Sequence, residues 1–184
     1  PVFCVSAGFL APRVRPLNLP NAAALPEMTV NFKKGLAEDE LKFQPDRSDE
    51  KLARSWAVPG TAGFEHRIGG LEKQDVTGNI NYEPENHQHM VNIRQAKVDK
   101  IADHIPLQKI DSGPEKGNVL VVGWGSTYGA IKSAVLQLQA EGHAVSHAHI
   151  RYLRPFPRNL GEIMKNFEHV LIPEINNGQL VKII

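Results

Sequence analysis

The chain has 184 residues, 41% of them hydrophobic, and its 21 Lys and Arg nearly balance its 20 Asp and Glu to leave a net charge of +1. That length suits one domain, or one domain with part of a second, and the hydrophobic share suffices for a packed core. The charge balance leaves no electrostatic footprint for nucleic acid, no apolar run reaches the ~18 residues of a membrane span, and no charged n-region leads into an apolar h-region.

Residues 2–6, Val2-Phe3-Cys4-Val5-Ser6, read as a short buried strand. Cys4 is the single cysteine. It excludes an internal disulfide and an all-cysteine metal site within this chain, and it fits a reducing cytoplasm. From about 12 to 60 stand six prolines: Pro12, Pro16, Pro20, Pro26, Pro45 and Pro59. Proline fixes φ and removes a donor, so this stretch is neither a long helix nor a central strand. Its middle, from Glu38 to Lys51, is charged and solvated. Structureless segments this long are uncommon inside compact domains. The stretch therefore reads as an extended connector wrapping a partner subunit, or more plainly as a partly disordered linker. Gly60, Gly63, Gly69 and Gly70 then surround Glu65-His66-Arg67. Polar side chains on a flexible backbone suit a binding loop, and equally an ordinary irregular surface.

Residues 86–105 are predicted as a long helix. Asn86 is the expected N-cap, and Val91, Val98, Ile101 and Ile105 recur at helical spacing with Met90 and Ile93 beside them. Pro106 ends the run. Arg94 falls on the same stripe. A guanidinium on an apolar face needs a partner or a route to solvent, so Arg94 either snorkels or makes a buried ion pair or an anion contact across an interface. Asp111-Ser-Gly-Pro-Glu-Lys-Gly117 reads as a linker and a domain boundary.

The last third alternates strand and helix. Asn118 to Val122 is an unbroken apolar run, as in a parallel strand covered on both faces. Ser126 or Thr127 is expected to cap a helix that runs to about Glu141, with Ala130, Ile131, Ala134, Val135 and Leu138 on one face and Gly142 as its stop. Ala144 to Leu153 is the second strand, and Arg154-Pro155-Phe156-Pro157 a stiff turn. Leu160, Ile163, Met164 and Phe167 mark a short helix, and His169 to Ile172 the third strand. Gly178 to Ile184 resembles a helix cut short; together with the abrupt first strand it suggests a piece of a longer polypeptide. The expected fold is α/β, a three-layer Rossmann-like parallel sheet preceded by a long irregular connector.

Gly123-Trp-Gly-Ser-Thr-Tyr-Gly129 at the first strand-to-helix turn invites a dinucleotide-binding reading. The fingerprint G-x-G-x-x-G needs its third glycine one residue earlier and an acidic residue ending the next strand. Here that strand ends Arg151-Tyr152-Leu153, and Trp124 crowds the place of a pyrophosphate. The glycines are therefore read as permitting a tight turn. His87 and His89 are two apart on a helix and point in different directions. His147 and His149 are two apart on a strand and share a face, yet nothing supplies a third metal ligand at motif spacing. No G-x-S-x-G elbow, Walker loop or Cys/His nucleophile pair is present, so a hydrolase is not indicated.

Five blocks, in order, carry a resemblance. They are Pro59-Gly60-Thr61 with Gly63, Glu65-His66, Gly69-Gly70 and Thr77-Gly78-Asn79; Asn86-His87 with His89-Met90, Arg94 and Lys97; Val122 to Gly129; His149 to Leu153 with Pro155-Phe156-Pro157; and Pro173-Glu174-Ile175-Asn176 with Gly178-Gln179-Leu180. Together they resemble the alpha subunit of 2-oxoacid:ferredoxin oxidoreductases, the 2-oxoglutarate type in particular. The resemblance implies a thiamine-diphosphate enzyme that decarboxylates a 2-oxoacid, passes electrons through an iron–sulfur cluster to ferredoxin and forms an acyl-coenzyme A. It implies residues 1–11 as the end of a pyrimidine-binding domain, 12–116 as the connector and 117–184 as a truncated transketolase C-terminal-like domain. Thiamine diphosphate, Mg2+ and the cluster are then held outside this chain, in upstream sequence and in the beta subunit, and the chain alone is inactive. One departure is Ala7, where the family carries an aspartate.

What the resemblance leaves to this chain is a substrate-side or interface role for Glu65, His66, Arg67, Asn86, His87 and Arg94, facing the beta subunit, the 2-oxoacid or coenzyme A. No residue is assigned catalysis, and no nucleic acid or membrane partner is expected. The alternatives are the C-terminal domain of another thiamine-diphosphate enzyme, such as a transketolase or a dehydrogenase E1 component, and a non-enzymatic interaction module.

Overall fold

The computed structural model describes residues 21–25, 27, 30, 32–36, 38, 40, 42–45 and 50–184. The strand predicted at 2–6, Cys4, Ala7 and part of the proline-rich stretch, with Pro12, Pro16, Pro20 and Pro26, lie outside them.

Three parallel strands form the sheet: β1 (Gly117–Trp124), β2 (Val145–Ile150) and β3 (Phe167–Leu171). Their order is β2-β1-β3, so the first strand is central. Its apolar run explains the position. Leu120 and Val122 face one side, where they meet Ala148, Ile150, Leu160, Phe167 and Leu180. Val121 faces the other, against Ile131, Val135 and Val145. Each such side chain contributes about 1.5–3 kcal/mol of burial free energy. A strand flanked by apolar layers on both faces needs no polar alternation.

Helix α2 (Tyr128–Ala140) lies over the Val121 face and α3 (Leu160–Lys165) over the Leu120 face. This is the expected three-layer α/β arrangement. Gly142 stops α2 as predicted, with its own amide bonded to Gln139 O and the His143 amide to Leu138 O. The buried face of α2 is narrower than its sequence suggests: Ile131 and Val135 are buried, whereas Ala130, Ala134 and Leu138 are exposed. The expected cap also fails. Thr127 donates its hydroxyl back to Trp124 O at 2.8 Å, so no side chain caps α2, and residues 125–127 make a 3-10 turn instead. At the other end, 178–184 makes turns rather than a helix, with Ile183 and Ile184 amides both bonded to Leu180 O.

The segment 111–117 is not a free linker. The amide of Asp111 donates to His147 O at 2.7 Å, and that of His147 returns to Ser112 O at 2.8 Å. The Asp111 carboxylate accepts the His149 amide at 2.7 Å, and Ser146 Oγ donates to Pro114 O at 2.6 Å. An exposed strand edge is a template for unwanted pairing, and a covering loop blunts it. Asp, Ser, Gly and Pro are turn residues, and here they are what a strap needs to hug the outer edge of β2.

The described residues before the sheet form an irregular region with one α-helix. Phe43 is buried and stacks on Phe64 at 4.9 Å between ring centroids. Helix α1 spans Pro84–Asp99 and passes into a 3-10 turn over Lys100–Asp103. It thus begins two residues before the expected Asn86 cap, because Pro84 occupies the first turn, where its missing N–H costs nothing. Asn86 is inside the helix. The expected stripe is also displaced: Met90 is buried, while Val91 and Ile101 are exposed. Reciprocal bonds between Asn159 and the Gln108 backbone, at 2.8 and 2.9 Å, fasten this region to the sheet domain.

Candidate functional site

The polar residues singled out in sequence fall into two places. Asn86, His87 and Arg94 stand on α1 against the loop 69–81. Glu65, His66 and Arg67 line or flank a separate groove.

The loop is drawn into a narrow turn by its own backbone. Gln74 and Asn79 pair at 2.6 Å, and Lys73 and Ile80 form an isolated antiparallel bridge. Asn86 braces it from the helix, donating to Lys73 O and accepting from the Asp75 amide, both at 3.2 Å. Glu72 is the hub. Its carboxylate takes His87 Nδ1 on one oxygen and Arg94 Nη1, at 2.9 Å, on the other. His89, turned away from His87 by its spacing, still reaches the same loop through Asp75 Oδ2 at 2.8 Å. Arg94 neither snorkels nor lies buried: its side chain is half exposed and its ion pair is with Glu72.

The His87 hydrogen bond first, and the Arg94 bond next, hold the Glu72 carboxyl below the usual carboxylate range. A carboxyl lowered on folding stabilises the fold above its ordinary range, and that contribution is lost as pH falls through its folded-state value. Acidification below the usual carboxylate range is therefore expected to loosen the 69–81 loop from α1. Hydrogen exchange should quicken at Leu71 to Asp75 while β1 stays protected. Unchanged exchange in the loop down to the acid unfolding of the sheet would contradict this.

Glu65 bonds the Gly63 amide at 3.3 Å, and His66 Nδ1 lies 2.8 Å from Phe64 O with its ring against Phe43. Both line an open groove of about 430 Å3 with Trp56, Val58 and Ile68. Arg67 is exposed beside it. Glu72, Lys73 and Asp75 were not singled out in sequence. A signal existed: two acids three residues apart face a histidine pair on the following helix.

The Gly123–Gly129 turn is built for packing. A Cβ on Gly123 would stand 2.5 Å from Ile131 Cδ1 and 3.2 Å from Thr127 Oγ1. Trp124 donates its indole N–H to Glu174 at 3.1 Å, and the same carboxylate accepts the Leu180 and Val181 amides at 2.8 and 3.2 Å. Burial pushes the Glu174 carboxyl up, but these bonds outweigh it and leave it below the usual range.

Residues 117–184 match the family model described as pyruvate:ferredoxin oxidoreductase core domain II. Along its whole length the chain is 44% identical to 2-oxoglutarate oxidoreductase subunit KorA of Mycobacterium tuberculosis. The chain is thus similar to alpha subunits of 2-oxoacid:ferredoxin oxidoreductases. It spans 27% of that mycobacterial relative. It is 31% identical over 61% of its length to subunit alpha of 2-oxoacid:ferredoxin oxidoreductase 1 of Aeropyrum pernix, covering 19% of that protein. Among solved structures it is similar to the 2-oxoglutarate:ferredoxin oxidoreductase of Magnetococcus marinus, which was determined with 2-oxoglutarate, coenzyme A and succinyl-CoA bound. That match has a TM-score of 0.75 at 25% identity and covers 89% of this chain and 28% of the other.

Among the described residues the donor set does not fit a metal ion or an iron–sulfur cluster. An iron–sulfur cluster takes four thiolates, and the chain has one cysteine. Among the described residues no three His, Cys, Asp or Glu side chains converge as metal ligands, and no helix is long and apolar enough to cross a membrane.

Proposed function

We propose that this chain is a working part of a cytoplasmic enzyme that oxidatively decarboxylates 2-oxoglutarate to succinyl-coenzyme A with ferredoxin as electron acceptor. The observation that carries the reading is the 44% identity to a 2-oxoglutarate oxidoreductase subunit across the entire chain. When bound in such an enzyme, thiamine diphosphate with Mg2+ and an iron–sulfur cluster supply the decarboxylation and the electron path. In this reading they are held by upstream sequence and a beta subunit. The contribution of this chain is positional. The sheet domain is a rigid base, and the two polar places in front of it face the beta subunit, the 2-oxoacid or coenzyme A. Glu65, His66 and Arg67 serve at the 430 Å3 groove, and Asn86, His87 and Arg94 serve at the Glu72 loop.

The test is assembly. The alpha polypeptide carrying this chain, joined with its beta subunit, is expected to reduce ferredoxin when given 2-oxoglutarate and coenzyme A. The chain alone is expected to reduce none. Turnover by the chain alone, or an assembled complex inert to every 2-oxoacid, would overturn the reading.

A further inference from the structure

The loop–helix place in that reading has a feature that subunit packing does not require. A cavity of about 540 Å3 opens between the loop and α1, with Arg54, Glu72, Lys73, His87 and Arg94 on its walls and Met90 at its base. Three permanent cations thus face one carboxylate. Two of the three are held by fixed bonds. Lys73 Nζ gives two of its protons to Gly69 O and Leu71 O, at 2.9 and 2.6 Å. Arg94 gives Nη1 to Glu72. An ammonium has three donors and a guanidinium five, so both keep donors beyond these fixed bonds. Arg54 Nε is buried and has no hydrogen-bond partner among the described residues. A buried N–H of a permanent cation without an acceptor asks for an anion.

We infer that this cavity is a subsite for a phosphate dianion, bound between the Arg54 and Arg94 guanidinium groups with Lys73 as the third contact. Two guanidinium forks match the tetrahedral oxygens of a phosphate, and the ammonium adds a point charge. Glu72 acts as a positioning residue: it fixes Arg94 and His87 through separate oxygens, so the site is ordered before the anion arrives. It also leaves a net positive wall, and the oxygens of one phosphate can meet all three cations at once, where a carboxylate group has only two oxygens. The phosphate has two possible sources, the free ion or the phosphate group of a nucleotide.

The test is direct binding to the full chain by calorimetry, with inorganic phosphate, AMP and succinate as separate probes. Saturable binding of inorganic phosphate or AMP is expected, with succinate at least tenfold weaker. Tighter AMP than phosphate assigns a nucleotide source, and equal affinities assign the free ion. Arg54→Gln and Lys73→Gln should each weaken phosphate binding at least tenfold. Arg94→Lys, which keeps charge and loses the fork, should weaken it by a smaller factor. Lys165→Gln, an equal change of charge on α3, should leave it unaltered. Circular dichroism of each variant checks folding. If Arg54→Gln is not folded, Arg54→Lys with Lys73→Gln carries the decision. Affinity unchanged in these variants, an equal loss in Lys165→Gln, succinate as tight as phosphate, or no binding of either phosphate probe would each overturn the inference. Binding is read without turnover, so an inert complex whose chain still binds phosphate fails the oxidoreductase reading alone.

Discussion

Gly113→Ala is expected to destabilise the chain by about 3 kcal/mol, the sum of overpacking and of a side chain forced into the left-handed region. Gly113 sits at φ +93°, where an L side chain is strained before any contact is counted. A Cβ there would stand 2.7 Å from the Val145 carbonyl, 2.7 Å from Ser146 Oγ and 2.9 Å from Gln139 Nε2. The first of these is backbone of β2 and does not swing aside. Relief requires the strap to lift, which breaks the bonds of Asp111 and Ser112 to His147. The outer edge of β2 is then bare and open to pairing with another chain. Urea denaturation should show the lowered midpoint, and light scattering should show association of the variant at concentrations where the parent stays dispersed. A variant as stable as the parent would mean that the strap does not hold the edge.

Stability should also fall steeply on mild acidification, because of His147 and His149. His147 is fully buried, and among the described residues neither of its ring nitrogens has a hydrogen-bond partner; His149 Nδ1 is buried and unpartnered among them as well. Burial is the main reason both rings titrate below the usual histidine value of 6.5. The surrounding charges divide. Asp111 on the strap favours the protonated rings, whereas Lys132 on α2, acting on His147, and Arg151 and His147, acting on His149, oppose protonation. Tyr128 covers both, with ring centroids 5.7 and 4.9 Å away. The folded state holds its rings neutral while the unfolded chain accepts protons from about pH 6.5 downward. Stability is therefore full above that pH and falls below it, by at most about 1.4 kcal/mol per pH unit for each ring. His147→Leu should remove one ring's share of that slope and raise stability at neutral pH by about 1 kcal/mol, since an unsatisfied buried polar group is lost. Parallel pH profiles of parent and variant between 7 and 5 would refute this account.

The sheet was legible in the sequence because its central strand is an unbroken apolar run and its neighbours are set off by a helix with a clear stop at Gly142 and by the stiff turn at Pro155. Composition misled at 111–117, since the residues that make a flexible linker also make a close-fitting strap. Only the tertiary partner, β2, tells them apart. It misled again at Asn86. A side chain that favours caps was read as one, while Pro84 two residues earlier carried the stronger start signal and Asn86 served the loop. The helical stripe through Val91 and Ile101 obeys the period, but burial follows the neighbouring Met90 face, which periodicity alone does not select. In the candidate site the helix residues were found and their hub was not. Glu72 gains its meaning only when a loop folds back across 15 residues to His87 and 22 to Arg94.

The bond from Trp124 to Glu174 joins residues 50 apart in the chain. Its donor ends the central strand, and its acceptor follows the last one. Closing so long a loop costs entropy that only an already docked β3 repays. The Glu174 carboxylate also gathers the Leu180 and Val181 amides. The contact is thus a latch: one carboxylate ties the end of the central strand to the tail, so a change at Glu174 would free both at once.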